Sequence, residues 1–126
     1  MQAESIFERI ITLNTRVLEP GWQKIKCFFN VIETGGFVVD SMSYVYYPDR
    51  EPYAFTSDAF DENGEMLEKT DLDYVLDLWE LQKDDAPKWY AATLVAYPDK
   101  TYEFTPSYEG ELTTEEIFER KKNYLP

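Results

Sequence analysis

Two long segments of alternating apolar and polar residues flank the dipeptide Gly35-Gly36. They cover residues 23–32 and 37–47, and in the first the apolar set at every second position is Ile25, Cys27, Phe29 and Val31. An alternation with period two predicts strands that bury one face. Consecutive glycines supply the positive φ angles of a two-residue hairpin turn. The sequence therefore predicts an antiparallel hairpin in the first half of the chain.

Further strands and helices follow from similar patterns. A short strand is predicted at 53–55, and a second hairpin at 88–97 and 101–105. Capping-box spacing predicts three helices, at 4–18 from Ser5 and Glu8, at 70–82 from Thr70 and Asp73, and from Thr113 and Glu116 to about residue 124. We expect an α+β fold, an antiparallel sheet of about four to five strands with an N-terminal, a central acidic and a C-terminal helix packed on it. A meander is the simplest strand order.

The length and composition favour one globular domain spanning residues 1–126. The chain is long enough to bury a core, and 44% of its residues are hydrophobic. No apolar run is long enough for a membrane span, and the first ten residues lack the pattern of a signal peptide. We therefore expect no membrane association and a cytoplasmic location. Cys27 is the only cysteine, so no intrachain disulfide can form.

The acidic charge is concentrated between Ser57 and Asp85. This segment holds 11 acidic and 2 basic residues, a balance of −9 in a chain whose net charge is −13. Nucleic-acid binding relies on Lys and Arg contacts with phosphates, so direct binding to nucleic acid is not expected. The same field would attract a basic protein and accelerate its docking. The regional concentration favours a protein partner over a charge that serves solubility alone.

The central helix carries two apolar rows. The row predicted to face the core has the spacing i, i+3, i+4 and i+7 and consists of Leu72, Val75, Leu76 and Trp79. The row on the far side, flanked by Asp71 and Asp77, consists of Tyr74, Leu78 and Leu81. An apolar row rimmed by carboxylates is typical of a contact surface.

This row and the acids that precede it define the candidate partner-binding residues. They are Asp58, Asp61, Glu62, Glu65, Glu68, Asp71, Tyr74, Asp77, Leu78 and Leu81. Two plainer interpretations stay open. A helix wedged between a sheet and another helix would bury both rows, and a run of acids is often only a solvated face.

Little in the sequence indicates catalysis. The chain has no histidine, one cysteine and no glycine-rich phosphate loop, which removes the commonest general base, a thiolate zinc site and a nucleotide fingerprint. A carboxylate pair could act as acid and base, but no spacing selects one. The acids Asp58, Asp61, Glu62 and Glu65 lack the alternating ligands of a calcium loop. We expect no enzyme activity, no cofactor and no metal.

The order of the elements and several aromatic positions resemble the YezG-like antitoxin and immunity proteins that accompany bacterial nuclease toxins. The resemblance covers nearly the whole chain. It rests on the helix Ile6 to Leu18 ending at Pro20, Gly21 and Trp22, on Tyr44-Val45-Tyr46-Tyr47, on Asp73-Tyr74-Val75-Leu76-Asp77-Leu78, on Trp89 to Val95, on Lys100-Thr101-Tyr102-Glu103-Phe104, on Tyr108-Glu109 and on Ile117 to Leu125. It implies a small acidic inhibitor without catalytic residues.

The expected function is therefore the neutralisation of a cognate basic toxin domain, a nuclease, by an acidic surface. One alternative is a small-ligand-binding domain with a pocket lined by Tyr44, Tyr46, Tyr90 and Tyr102. A carboxylate-dependent hydrolase is a further alternative. Exposed apolar rows on the helix could also serve a homodimer.

Overall fold

The computed structural model describes residues 2–61, 63–82 and 84–124. These residues form an antiparallel five-stranded sheet and three helices, which confirms the predicted α+β fold. The elements are α1 (Ala3–Thr15), β1 (Lys24–Ile32), β2 (Val38–Tyr47), β3 (Arg50–Phe55), α2 (Asp71–Glu80), β4 (Ala91–Ala96), β5 (Tyr102–Ser107) and α3 (Thr114–Lys121).

The strand order is β3-β2-β1-β4-β5, so the sheet is not a simple meander. The first three strands do follow one another, and the predicted hairpin brings Lys24 opposite Tyr46 and Ile32 opposite Val38. Both glycines have positive φ, at 81° and 112°, but residues 33–37 join the two strands, so the predicted two-residue turn is wrong. The chain then leaves the edge strand β3, forms α2 and returns to pair β4 with the free edge of β1. This crossover makes β1 the central strand.

Helices α1 and α2 cover one face of the sheet. The odd-numbered side chains of β1 point to this face, and all four that alternation predicts (Ile25, Cys27, Phe29 and Val31) are buried. From α1, Phe7 packs against Tyr102 and Phe104 of β5, with ring centroids 5.0 Å apart in each pair. From α2, Val75, Leu78 and Trp79 join the same core. The two helices lie side by side on this sheet face, because both contribute to one continuous core.

The C-terminal segment lies against the opposite face. Tyr124 stacks on Phe28 of β1 at 4.1 Å between ring centroids, and its hydroxyl accepts a hydrogen bond of 2.8 Å from Asn30. Lys121 forms an ion pair of 2.7 Å with Asp40 of β2. The predicted cap of α3 is confirmed, since Thr113 and Glu116 exchange reciprocal hydrogen bonds of 3.1 Å.

Helix α1 begins and ends earlier than the sequence predicts. It begins at Ala3, and its N-cap residue is Gln2. Ser5 therefore lies inside the helix, and the predicted capping box of Ser5 and Glu8 is wrong. The spacing of Ile6, Ile10, Leu13 and Val17 predicts a buried stripe that continues to Val17. The helix ends at Thr15, however, and Val17 is 46% exposed. The buried stripe is therefore shorter than the apolar periodicity indicates.

Candidate partner-binding surface

Helix α2 begins where the sequence predicts. The backbone N–H of Thr70 donates a hydrogen bond of 2.8 Å to the carboxylate of Asp73. This bond fixes the entry of the chain into the first turn, and the negative charge of Asp73 suits the positive end of the helix dipole. The helix is thus fixed at its N-terminus by one of its own acids.

The buried side of α2 differs from the predicted one by a rotation of the helix. Leu78, predicted to lie on the outward row, is 5% exposed, and Asp71 is 8% exposed. Leu72, predicted to face the core, is 38% exposed. The buried arc lies between the two apolar rows and consists of Asp71, Val75, Leu78 and Trp79. Leu78 and Asp71 are therefore core positions and not parts of an open contact row.

Hydrogen bonds to Trp89 explain this rotation. The indole N–H of Trp79 donates to the carbonyl oxygen of Trp89 at 2.7 Å, and the Gln82 amide donates to the same oxygen at 2.8 Å. The Gln82 side chain also accepts from the Trp89 N–H at 2.8 Å. Buried peptide groups need partners, so these bonds hold Trp79 and Gln82 inward. The helix then turns the opposite side chains to solvent.

The outer face of α2, as we name it, consists of Leu72, Asp73, Asp77, Glu80 and Leu81. The three acids follow the spacing i, i+4 and i+7 and form one stripe along the helix. Leu72 and Leu81 flank the stripe and are 38% and 52% exposed. Asp77 is partly neutralised by an ion pair with Lys69, which also lies 4.7 Å from the centre of the Tyr74 ring. Glu80 is exposed, and Tyr74 is half-buried.

The loop before α2 folds into a small hairpin held together by two of its own acids. Asp61 accepts from the backbone N–H groups of Asn63 and Glu65 at 2.8 and 2.9 Å. Asp58 accepts from the N–H of Phe60 at 3.0 Å and lies 3.6 Å from the Arg16 guanidinium. Both carboxylates are therefore engaged within the protein. Their availability to a partner is lower than their number suggests.

Two further acids of the loop are exposed to solvent. Glu65 and Glu68 are exposed beside Met66, which is 75% exposed. Phe60 pairs with Met66 across the hairpin and is 49% exposed. Glu62 lies outside the described residues. The loop thus presents two exposed apolar side chains among carboxylates, next to the N-terminus of α2.

Sequence reasoning missed Leu72, Asp73 and Glu80 as surface residues. The two apolar rows adjoin, so the centre of the buried arc lies between them, and the opposite side then carries Asp73, Asp77 and Glu80. Averaging the directions of the two rows would have shown this. The hydrogen bonds to Trp89, which set the final rotation, have no signal in the local periodicity.

The four tyrosines proposed for a ligand pocket do not come together. Tyr44 contacts Phe28, with ring centroids 6.1 Å apart, on the sheet face that α3 covers in part, and Tyr46 shares that face. Tyr90 packs 5.8 Å from Trp79 and donates to Glu33, while Tyr102 contacts Phe7. Two of the tyrosines thus lie on one side of the sheet and two on the other.

A different aromatic groove lies between α1 and the β4–β5 hairpin. Its volume is about 470 Å³. Among its lining residues are Glu8, Thr12, Trp22, Tyr97, Lys100 and Tyr102. Burial, followed by the nearby charges of Glu4 and Glu8, raises the pKa of Tyr102. The groove therefore combines aromatic walls with one acidic residue, Glu8, and one basic residue, Lys100.

Carboxyl groups with shifted pKa values give no indication of a general acid. The pKa of Glu109 is lowered to about 2 by hydrogen bonds from Arg120 and Ser107. The pKa values of Asp99 and Glu111 are lowered by hydrogen bonds from Thr101 and Thr34 respectively. A catalytic general acid needs a raised pKa, which is the opposite direction.

Two further properties of the described residues bear on the kind of site. No group of three or more acidic or cysteine side chains is placed to hold a metal ion among them. None of the helices in residues 2–61, 63–82 and 84–124 combines the length and hydropathy that a membrane span requires.

Comparison with known proteins adds no family to these observations. No protein-family profile matches the chain, and no curated protein sequence is significantly similar to it.

Proposed function

We propose that the protein is an immunity protein that binds a cognate basic toxin domain, a nuclease, and neutralises it in the cytoplasm of the producing cell. The observation that carries the proposal is the outer face of α2, where three acids in one row lie between the exposed side chains of Leu72 and Leu81. The resemblance of the chain to YezG-like immunity proteins points to the same function.

The charge pattern supports a basic partner. A nuclease holds phosphates with Lys and Arg, so its substrate groove is positively charged. An inhibitor with a net charge of −13 would approach such a groove faster than a neutral protein would. In this proposal, charge increases the rate of association and the selectivity for a basic partner.

Apolar anchors would supply the tight contact. Binding energy in protein interfaces is concentrated in a few buried side chains surrounded by polar ones. Leu72 and Leu81 on α2, with Phe60 and Met66 on the loop, have the required exposure beside carboxylates. The contact surface we propose joins the outer face of α2 to this loop.

Affinity capture from the native cell tests the proposal. Tagged protein is used as bait at low and high salt, bound proteins are identified by mass spectrometry, and nuclease activity of the recovered partner is assayed with and without added immunity protein. We expect a basic nuclease domain that is retained less at high salt and inhibited on addition. Recovery of this chain alone would contradict the proposal and favour a homodimer.

A second candidate function is the binding of a small ligand, favoured by the aromatic groove of about 470 Å³. Its size is typical of small-molecule sites. A thermal shift caused by a metabolite in the absence of any protein partner would support this function. It would also contradict a role limited to protein binding.

A further inference from the structure

The aromatic groove has features that select a cationic group. Trp22, Tyr97 and Tyr102 are half-buried, so each exposes part of a ring to the groove. The faces of aromatic rings carry negative potential and attract ammonium and guanidinium groups. The carboxylate of Glu8 lies on the same lining, and it forms no ion pair with any other residue in the described part of the chain.

The elements that form the groove position these groups firmly. Trp22 precedes β1 and Tyr97 follows β4, and these two strands pair through Ile25 and Ala96. Tyr102 is held from behind by Phe7, with ring centroids 5.0 Å apart. The aromatic walls therefore lie in or directly beside neighbouring strands of the sheet, and a ligand would find them already in place.

The groove adjoins a second cleft, which lies between it and the surface we propose for partner binding. Glu8 and Thr12 of α1 line both the groove and a second cleft of about 400 Å³. That cleft runs on to Leu67, Lys69 and Tyr74, beside the acidic loop and α2. A protein docked on the outer face of α2 could thus extend a side chain over α1 into the groove.

We propose that the groove receives a lysine or arginine side chain of the basic partner protein, with arginine preferred. This inference rests on the proposed function. A guanidinium stacks flat on aromatic rings and forms hydrogen bonds with a carboxylate at its edge, so Trp22, Tyr97 and Tyr102 would hold its faces and Glu8 its N–H groups. Anchors of this type, an arginine in a pocket, are common hot spots of protein interfaces.

Lys100 allows a test in which the removal of a charge should strengthen the binding of a cation and not weaken it. It lies at the rim in the turn between β4 and β5, is exposed, and repels a cation in the groove. If a cation binds there, removing the charge of Lys100 strengthens binding, whereas removing the charge of Glu8 weakens it. A groove that binds neutral or anionic groups would show the reverse or no effect.

The first experiment uses N-acetylarginine amide as the probe and N-acetylcitrulline amide as its uncharged counterpart of the same shape. Both are titrated into the full chain and followed by NMR. We expect shifts at the Trp22 indole N–H and at Thr12, and an affinity about fivefold higher for the arginine probe. Glu8→Gln should lower the affinity for the arginine probe about fivefold, and Lys100→Gln should raise it. The control Glu115→Gln on α3 should leave this affinity unchanged. Equal affinities for the two probes would overturn the proposal.

The second experiment separates this inference from the proposed function. The captured partner is titrated with Glu8→Gln, with Lys100→Gln, and with the doubly reversed variant Asp77→Lys/Glu80→Lys. Weaker binding of the first and stronger binding of the second support the groove as an anchor. If only the doubly reversed variant loses binding, and the two groove variants bind like the wild type, the groove is not an anchor for the partner. The proposed function would then still stand. If the wild type captures no basic protein, the proposed function is wrong. The comparison of the arginine and citrulline probes would still show whether the groove prefers a cation.

Discussion

The side-chain amide of Gln82 forms two hydrogen bonds with the backbone of Trp89, donating to its carbonyl oxygen and accepting from its N–H, each 2.8 Å long. Gln82 is 7% exposed and Trp89 is 5% exposed, so both groups are shielded from water. The pair ties the end of α2 to the segment that enters β4. It also sets which side of α2 faces solvent, and so it determines the composition of the outer face.

Substituting Gln82→Ala should lower the free energy of unfolding by about 1 to 3 kcal/mol, because the buried N–H of Trp89 loses its partner. Urea denaturation measures the change. The control Glu80→Ala, at an exposed position two residues earlier, should stay within about 0.5 kcal/mol of the wild type. Equal losses in the two variants would show that the Gln82 bonds carry no stability.

Leu78 and Leu81 should behave oppositely, although the sequence places them in one row. Leu78→Ala removes a buried side chain and should cost about 2 to 5 kcal/mol of stability. Leu81→Ala, at a position that is 52% exposed, should leave stability nearly unchanged and weaken partner binding. Denaturation curves and partner titrations of both variants check this. A stable Leu78→Ala variant would contradict the rotation of α2 described above.

Cys27 should not react with thiol reagents while the protein is folded. Its side chain is fully buried, and burial raises the pKa of the thiol from 9.0 to about 12, with the charge of Asp71 adding to the increase. The thiolate is the reactive form, so labelling should occur only after unfolding in urea. Labelling of the native chain at the rate of a free thiol would contradict this burial.

The same shift predicts a loss of stability at high pH. Because the folded pKa is raised, the contribution of Cys27 is present below pH 9.0 and is lost as the pH rises toward about 12. Tyrosines titrate in the same range, so the comparison needs a Cys27→Ala variant. Its stability should fall less steeply over this range than that of the wild type. Parallel declines would contradict the prediction.

The ion pair between Glu109 and Arg120 should make the packing of α3 sensitive to acid. The two side chains meet in paired hydrogen bonds of 2.9 and 2.7 Å, which lower the pKa of Glu109 from 4.5 to about 2. A lowered folded pKa gives stability above pH 4.5 that is lost as the pH falls toward 2. Glu109→Gln should therefore lose less stability than the wild type in this interval. The free energy of unfolding is measured by urea denaturation at several pH values between 4.5 and 2. The same dependence on pH in Glu109→Gln and the wild type would contradict the prediction.

The elements of this fold could be predicted because their signals are local. The alternation around Cys27 and the glycines at 35 and 36 specify a hairpin whatever the rest of the chain does. The strand order could not be predicted in the same way, because the pairing of β4 with β1 joins segments that lie far apart in the sequence. The direction of the buried arc of α2 follows from averaging its two apolar rows, but the hydrogen bonds between Gln82 and Trp89 that hold this rotation have no local signal.

The exposure of the candidate surface residues could be predicted only in part, because it depends on packing as well as on local sequence. The acidic composition of residues 57–85 is visible in the sequence, and Glu65, Glu68 and Leu81 do lie at the surface. Local hydrogen bonds and ion pairs then engage Asp58 and Asp61, and burial removes Asp71 and Leu78. Composition gives the charge of a region, whereas packing decides which of its charges a partner can reach.

The affinity of the captured partner for Asp77→Lys/Glu80→Lys tests the central claim most directly. Asp71 is unsuitable for charge reversal, because a lysine there would bury an unpaired charge. The matched control is Glu115→Lys/Glu119→Lys, which reverses two exposed acids on α3. We expect the α2 variant to bind at least about tenfold more weakly than the wild type, with a smaller dependence on salt, and the α3 variant to bind normally. Equal affinity and equal salt dependence for the α2 variant and the wild type would contradict binding through the outer face of α2.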